Sequence, residues 1–412
     1  MKLLIRIAWR NIWRQSRRTW ITIWAMALGV ALSMACVAWI DGMFKDGFDM
    51  LVGETIGHVQ VHHPEYPKKR ALYETIDDGA ATVQKLAVLP DAKAVSGRVF
   101  GFSLLAAREE AAGAQLIGII PADEAAATSV HEKVQPGGRW LSAEAKKEIM
   151  LGSGLAETLK SKVGDEIVAV TQAADGSMGN ELFTVAGIIK TGSVVRDRSG
   201  AYLHQADLQE LLVLEDQLHE ISLLAKEDEG IPALAASVAA ALEGSELLSR
   251  TWGEINPMMK TMISFQDMFL FIMLLLVFSV AALGILNTML MSVFERTKEL
   301  GVIRALGLKP RQMVLLVVLE STALAAVASV VGVALGLVLD AYLVFVGLDF
   351  SSMMGSFTFA GLSFNPMMYG YVRPESVVAL VVGLFLITVL ASLWPAIRAA
   401  RLKPVDAMRQ EG

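Results

Sequence analysis

A single cysteine, Cys36, stands in 412 residues and falls inside an apolar run. No domain of this chain is therefore built on disulfides, and cysteine usage leaves its redox compartment unreadable. Charge is scarce as well, with 19% of residues charged and 54% in the hydrophobic set, against about 25% charged in an ordinary soluble domain. No G-x-x-x-x-G-K-[ST] loop occurs, so nothing here cradles ATP phosphates and magnesium. Energy for uphill work would have to come from another subunit or an ion gradient. No G-x-S-x-G or H-E-x-x-H stands at the end of an apolar run, which leaves a membrane hydrolase without support. Internal repeats and low-complexity tracts are lacking too.

What remains divides into two kinds of sequence. Four apolar blocks, at 19–40, 268–294, 313–346 and 377–397, reach the roughly 20 residues that a bilayer-crossing helix needs. The third is long enough to tilt or to project beyond the bilayer. Between the first two, residues 41–263 read like an ordinary soluble domain. The expected fold class is a membrane α-helical protein of four transmembrane helices, with a large α+β domain inserted between helices 1 and 2. The first block is longer than the apolar core of a cleaved signal and no small-residue cleavage site follows it, so it reads as a retained anchor.

Orientation follows from Lys and Arg in the short segments flanking the spans. Residues 1–18 hold six bases and no acid, residues 295–311 hold five, residues 396–412 hold four, and the loop 347–376 holds only Arg373. Both termini are expected in the cytoplasm, and the 41–263 domain outside. The net charge of −6 hides a split of 33 acids against 20 bases in that domain and 4 against 15 in the three cytoplasmic segments. Those bases fit topology and anionic head groups, and nucleic acid is not an expected partner.

Lys2, Arg6, Arg10, Arg14 and Arg17 recur at helical spacing opposite Leu4, Ile5, Ala8 and Ile12, which reads as an amphipathic helix on the inner leaflet. Asn11 and Gln15 interrupt its apolar side, and a shapeless topogenic cluster is the plainer alternative. In the outer domain, helix is expected to continue from Asp41 to Thr55, a strand at GHVQVHH, helix at Glu74–Leu89, and strands at Ala94–Ala107 and Gln115–Ile120. Between Val163 and Ala201, short β runs separated by glycine turns predict an inserted β-rich lobe. Trp252–Gln266 is expected to form a stalk leading into the second span.

The stretch FERTKELGVIRALGLKPRQ is the most informative. ERTKELGVIRAL is amphipathic at helical period, and GLKP stops and restarts the helix. A short charged helix pinned at both ends to spans can pass a push into both of them, whereas an ordinary solvated loop is the plain reading. Leu300, Ile303 and Leu306 are expected to pack inward. His58 and His62 fall on one face of their strand and His63 on the other; with Glu65 nearby a metal site is one reading, and three exposed histidines are the simpler expectation. Glu320 and Asp340 lie in the third block, where an ionisable group is a functional hypothesis by default. Glu320 is close enough to the inner end to pair with Arg304 or Arg311, and Asp340 is expected near the outer surface. Met353, Met354, Phe357, Phe359, Met367, Met368 and Tyr369 give the outer loop an adaptable apolar set, suited to a lipid-like cargo or simply to the head-group layer.

With those residues in view, ERTKELGVIRALGLKPRQMVLLVVLES resembles the region between the second and third spans of the MacB/FtsX/LolC-LolE permease superfamily. AWRNIWRQSRRTWIT and PAIRAARLKPVDAMR are similar to its N- and C-terminal signatures. LGSGLAETLKSKVGDEIVAV and FTVAGIIKTGSVVRDRSGAYLHQADLQELL are similar to its periplasmic core domain. The resemblance implies a bacterial inner-membrane permease subunit of an ABC transporter, paired with a second permease, identical or paralogous. It implies two cytoplasmic ATPase subunits carrying the ATP and magnesium, none of it on this chain, which is then no enzyme itself. It also implies a two-lobed outer domain and places the ATPase-coupling role on Glu295, Arg296, Lys298, Glu299, Arg304, Ala305, Leu306 and Gly307. A cargo path between the first two spans falls on Met26, Val30, Met34, Met268, Phe269 and Ile272. The implied organisation is thus residues 1–18 as amphipathic helix, 295–312 as coupling segment, 347–376 as periplasmic loop and 398–412 as tail. Three functions fit: release of lipoproteins or a lipid-like cargo, export of small molecules or peptides as in MacB, and FtsX-like signalling to a cell-wall hydrolase. An outer domain of this size favours transport, and an ATPase carried on the same chain, as in MacB, is not expected. Lipoprotein release is the leading expectation.

Overall fold

The computed structural model describes residues 2–350, 357–359, 362–364 and 367–401. Two compact units emerge, one formed by residues 1–45, 262–352 and 367–412, the other by residues 46–261 and 353–366.

The first unit is helical. Four helices are long and apolar enough to cross a membrane: Ser16–Met50, Pro257–Glu295, Pro310–Phe345 and Pro374–Ala400, taken here as the first to fourth spans. The first, second and fourth run past their apolar blocks at both ends and the third begins before its own, because a helix does not stop where the hydrocarbon stops. At 1.5 Å per residue, a 36-residue helix is about 54 Å long. Pro310 and Pro374 sit in the first turns of their helices, where the missing N–H costs nothing. The core of the bundle is made by Ile23, Met26, Val30 and Met34 of the first span against Ile285, Leu324, Ala325, Ala328, Leu380 and Leu384. The first and third spans approach closely: a Cβ at Gly332 would lie 2.9 Å from the Ala27 carbonyl oxygen, and one at Gly336 2.5 Å from the Met34 sulfur. Small residues permit such backbone approach in membranes.

One end of the bundle carries a buried clamp. Asp41 of the first span, its side chain 2% exposed, accepts two hydrogen bonds from Arg373 at 2.6 and 2.8 Å and one from Gln266 at 2.9 Å. Arg373, the sole base of the loop 347–376, thus ties the start of the fourth span to the first. Asp340 of the third span is buried beside Tyr371, Val372 and Arg373, and its Oδ1 has no hydrogen-bond partner among the described residues. In the loop, Leu348–Asp349 pairs with Met367–Met368 and Phe357–Phe359 with Leu362–Phe364. Met353 and Met354 lie outside the described residues.

The second unit is built on nine strands: β1 Val59–His62, β2 Ala92–Ala107, β3 Glu110–Ile119, β4 Glu148–Gly152, β5 Glu166–Gln172, β6 Met178–Ile189, β7 Gly200–His204, β8 Glu220–Ala225 and β9 Leu248–Thr251. They form one sheet in the order β3-β7-β4-β6-β5-β2-β8-β1-β9, and β2 also pairs with β3. The extra pairing closes a ring of six strands. It is possible because β2 is long: Ala92–Arg98 pairs with β8, Leu104–Ala106 pairs with β5, and the Arg98–Ala107 stretch pairs with β3. Side-chain alternation along the strands then sends Leu116, Ile149, Leu151 and Leu203 into the main core and Ile117, Met150 and Tyr202 into a second cluster on the other face.

The strands between Val163 and Ala201 are β5, β6 and the start of β7, members of the same sheet and packed in the same core as Val59 and Ile76. The helix expected from Glu74 begins only at Gly79. The histidines of β1 were expected to be exposed, yet His58 and His62 are buried. β1 lies inside the sheet between β8 and β9, and all four of its residues are covered. His58 Nδ1 accepts from the Ala225 amide at 2.9 Å, and His63 meets Glu74 at 2.7 Å. No metal-holding cluster is found among the described residues.

A buried charge network pins the sheet. Arg98, 1% exposed, reaches Glu124 at 2.8 Å and Glu220 at 3.0 Å, and Ser96 donates to Glu124 at 2.7 Å. Burial alone would push the Glu124 carboxyl up, but Arg98 and Ser96 outweigh it and hold it below the usual carboxylate range.

Candidate functional site

The region between the second and third spans is a nine-residue helix, Thr297–Ala305, here the linking helix. The second span ends at Glu295. Arg296, at φ −103° and ψ 16°, is the break between the two helices. At the far end Gly307 adopts φ +100°, a conformation that glycine reaches without steric cost, and Pro310 restarts the chain as the third span.

The linking helix has a held side and an open side. Thr297, Leu300 and Gly301 are buried, with Leu300 in a cluster of Val293, Met313, Val317, Ala396 and Ala399. Lys298, Glu299, Val302, Ala305, Leu306 and Gly307 are exposed, while Ile303 and Arg304 are half-buried. Leu306 was expected to pack inward; at 83% exposed it is the outermost apolar side chain of this segment. It lies past the last helical residue, where the chain turns toward Gly307, and so does not continue the buried stripe.

Ion pairs attach this helix to its neighbours. Arg296 Nη1 donates to both oxygens of Glu320 at 3.2 Å, and Asn11 donates to Glu320 Oε1 at 2.6 Å. Arg14 meets Glu299 at 2.8 Å and Arg18 meets Glu295 at 3.4 Å. Arg304 Nη1 donates to the Ala400 carbonyl at 2.8 Å, a cation on the last turn of the fourth span, where the helix dipole favours it. Glu320 therefore does not pair with Arg304 or Arg311, as expected, but with the hinge residue and with the N-terminal helix. That helix, Lys2–Ile12, buries Ala8 and Ile12 while Ile5 stays 51% exposed. A cavity of about 300 Å³ lies among Asn11, Arg14, Arg18, Glu295, Arg296, Glu299 and Glu320.

A second cavity, about 520 Å³ and mostly apolar, opens between the first, second and fourth spans. Its walls include Ala25, Gly29 and Ser33 of the first span and Leu276, Val280 and Gly284 of the second. Of the positions expected on a cargo path, Met26 and Val30 reach this cavity, yet both are buried in the bundle core together with Met34. Met268, Phe269 and Ile272 are more than half exposed on the second span and do not line it. The structure does not bring the six together. The small-residue spacing Ala25, Gly29, Ser33, four apart on one helix face, was the available signal for the residues that do line the cavity.

Four helices long and apolar enough to cross a membrane, a short two-sided helix between the second and third, and an α+β domain after the first define a class of membrane protein. The model of the MacB-like periplasmic core domain matches residues 19–241, more than half of the chain, and that of the FtsX-like permease C-terminal region matches residues 271–404. The chain belongs to the MacB/FtsX/LolC-LolE superfamily of ABC transporter permeases. Among its relatives, the lipoprotein-releasing system transmembrane protein LolC of Neisseria meningitidis serogroup B is 26% identical over 75% of this chain and 76% of its own length. LolE of Haemophilus influenzae is 24% identical over 93% of this chain and 92% of its own. A macrolide export ATP-binding/permease protein MacB from Chlorobaculum tepidum is 34% identical over 31% of this chain and 17% of its own.

Proposed function

We propose that this chain is the permease subunit of an ABC transporter that releases lipoproteins or a lipid-like cargo from the inner membrane. Both termini and the linking helix lie in the cytoplasm, the nine-stranded domain lies in the periplasm, and a separate ATPase subunit presses on the linking helix. The observation that carries this reading is the two-sided character of that helix. Its open side offers Lys298, Val302, Ala305 and Leu306, a mixture of charge and apolar surface suited to a protein partner. Its other side is fixed to the third and fourth spans through Leu300, Arg296 and Arg304. A push received on the open side is thereby passed to the bundle. The lipoprotein cargo is supported by the length over which the LolC and LolE relatives align.

The test is the variant Leu306→Asp with co-expressed ATPase subunit in native membranes. A buried unpaired carboxylate at a protein interface is costly, so the expected result is loss of ATPase co-purification and of cargo release, with the chain still folded and inserted. Undiminished binding and release would refute the docking role of this face.

A further inference from the structure

We propose that Glu320 is a positioning residue that makes the N-terminal helix, the linking helix and the third span move as one part; this rests on the reading of the linking helix as the receiver of ATPase motion. The carboxylate lies in the third turn of a bilayer-crossing helix and is 6% exposed. Such a group is tolerated at that depth only where it is paired and hydrogen-bonded, and here every partner comes from a different element. Arg296, the break between second span and linking helix, gives two hydrogen bonds, and Asn11 of the N-terminal helix gives a third.

Two oddities of the sequence are accounted for by this one contact. Asn11 interrupts the apolar side of an amphipathic helix, and Glu320 interrupts an apolar span; 309 residues apart, they meet at 2.6 Å. The surrounding space indicates what holds the joint. The three residues line a cavity of about 300 Å³ together with Arg14, Arg18 and Glu299, so on this side polar contacts carry the connection, beside the apolar contact that Ile12 makes in the core shared with Leu324. The outer pairs Arg14–Glu299 and Arg18–Glu295 are solvent-accessible, a setting in which an ion pair contributes little. The buried hub is the part that cannot be released without leaving a charge unpaired. A merely topogenic N-terminal cluster would need no such bond.

The test uses full-length chain in lipid nanodiscs, with Cys36→Ser and spin labels on cysteines introduced at Arg10 and Leu306, both exposed. The distance distribution between the labels is measured without ATPase, and cargo release per ATP hydrolysed is measured on unlabelled chain with the ATPase subunit. Glu320→Gln and Asn11→Ala are expected to broaden the distribution and to lower release per ATP by about tenfold, within the usual range of coupling between sites, while ATPase binding persists. Glu320→Asp, which keeps the charge, should recover part of both. Asn11→Ala lies outside the spans and guards against a folding defect at Glu320. A distribution unchanged in both Glu320→Gln and Asn11→Ala overturns the hub, whatever the chain transports. Broadened distances with unchanged release per ATP also overturn it, since the joint would then not transmit. A parent assembly showing no ATP-dependent cargo release, but the same broadening, supports the mechanical joint and overturns the permease reading instead.

Discussion

His219 makes the second unit sensitive to mild acid. It is 1% exposed and sits where β2 leaves β8 for β5. Its Nδ1 accepts from the Phe100 amide at 3.0 Å and its Nε2 lies 3.1 Å from the Leu72 carbonyl. Those partners require a neutral ring with the proton on Nε2. A second proton would face the Phe100 N–H, donor against donor, in a site that burial already closes to charge. Burial accordingly lowers this histidine from 6.5 to about 4. Between those values the unfolded chain binds a proton that the folded chain refuses, so stability falls as pH falls through that window. At 1.36 kcal/mol per pH unit the loss at pH 5 is about 2 kcal/mol for one such histidine.

His62 is also lowered to about 4, by burial and then by Arg250, and adds a similar amount. Together they remove about 4 kcal/mol, a large part of the 5–15 kcal/mol typical of a domain. The carboxylates held low act only below their ordinary range: Glu148, kept at about 2 by Arg139 and the Ser142 amide, supplies stability that is lost below about pH 4.5. Asp123, Asp207 and Glu220, raised by burial, act in the opposite sense and favour the folded state as pH falls, so the comparison with His219→Gln is what isolates that histidine. Hydrogen exchange of β2 and β8 amides in the full-length chain, corrected for intrinsic rate, should show protection at pH 5 reduced by up to about 4 kcal/mol. In His219→Gln the reduction should be smaller by about 2 kcal/mol, roughly thirtyfold less change in protection. Equal protection at both pH values, or an unaltered pH dependence in His219→Gln, would refute the reasoning.

Two further outcomes test the packing of each unit. Arg98→Met leaves Glu124 and Glu220 without their cation and is expected to cost about 3–5 kcal/mol, read as a lower denaturation midpoint, with much of the loss recovered when both glutamates are also made apolar. Gly332→Val puts a side chain against the Ala27 carbonyl and should destabilise the helical unit by about 1–3 kcal/mol in detergent unfolding, whereas Gly336→Ala meets only the flexible Met34 side chain and should be tolerated; equal effects would mean that the spans adjust more freely than this packing allows.

The spans were legible because the bilayer dictates apolar length, and length is a local property of sequence. The run of the first helix past its apolar block, expected through Thr55, is found as far as Met50, since helix propensity continues past the hydrocarbon. Within the second unit, local strand signals mark β2 and β6, but ring closure depends on β2 changing partner along its length. Pairing of that kind is set by residues far away in sequence. The burial of HVQVHH is hidden from sequence for a related reason: polar side chains imply an open face only if the strand has one, and β1 has neighbours on both edges and cover on both faces.

The linking helix shows where local reading stops. Its period, its start and its glycine stop are written within a few residues, and so was its buried Leu300. Leu306, as the residue that caps the helix end at φ −78° and ψ 6°, falls outside the stripe that Leu300 begins, since six residues at 100° each put it on another side. The partner of Glu320 depended on which elements fold back upon one another, and the nearest bases in sequence, Arg304 and Arg311, were the wrong ones. A better guide was present in the pattern itself. Sequences tend to break local rules at functional or strained positions, and an acid inside a span and an amide on an apolar helix face are two such breaks, each costly alone. Each supplies what the other lacks, an acceptor for a donor, and pairing the violations would have brought Asn11 to Glu320 before any coordinate was known.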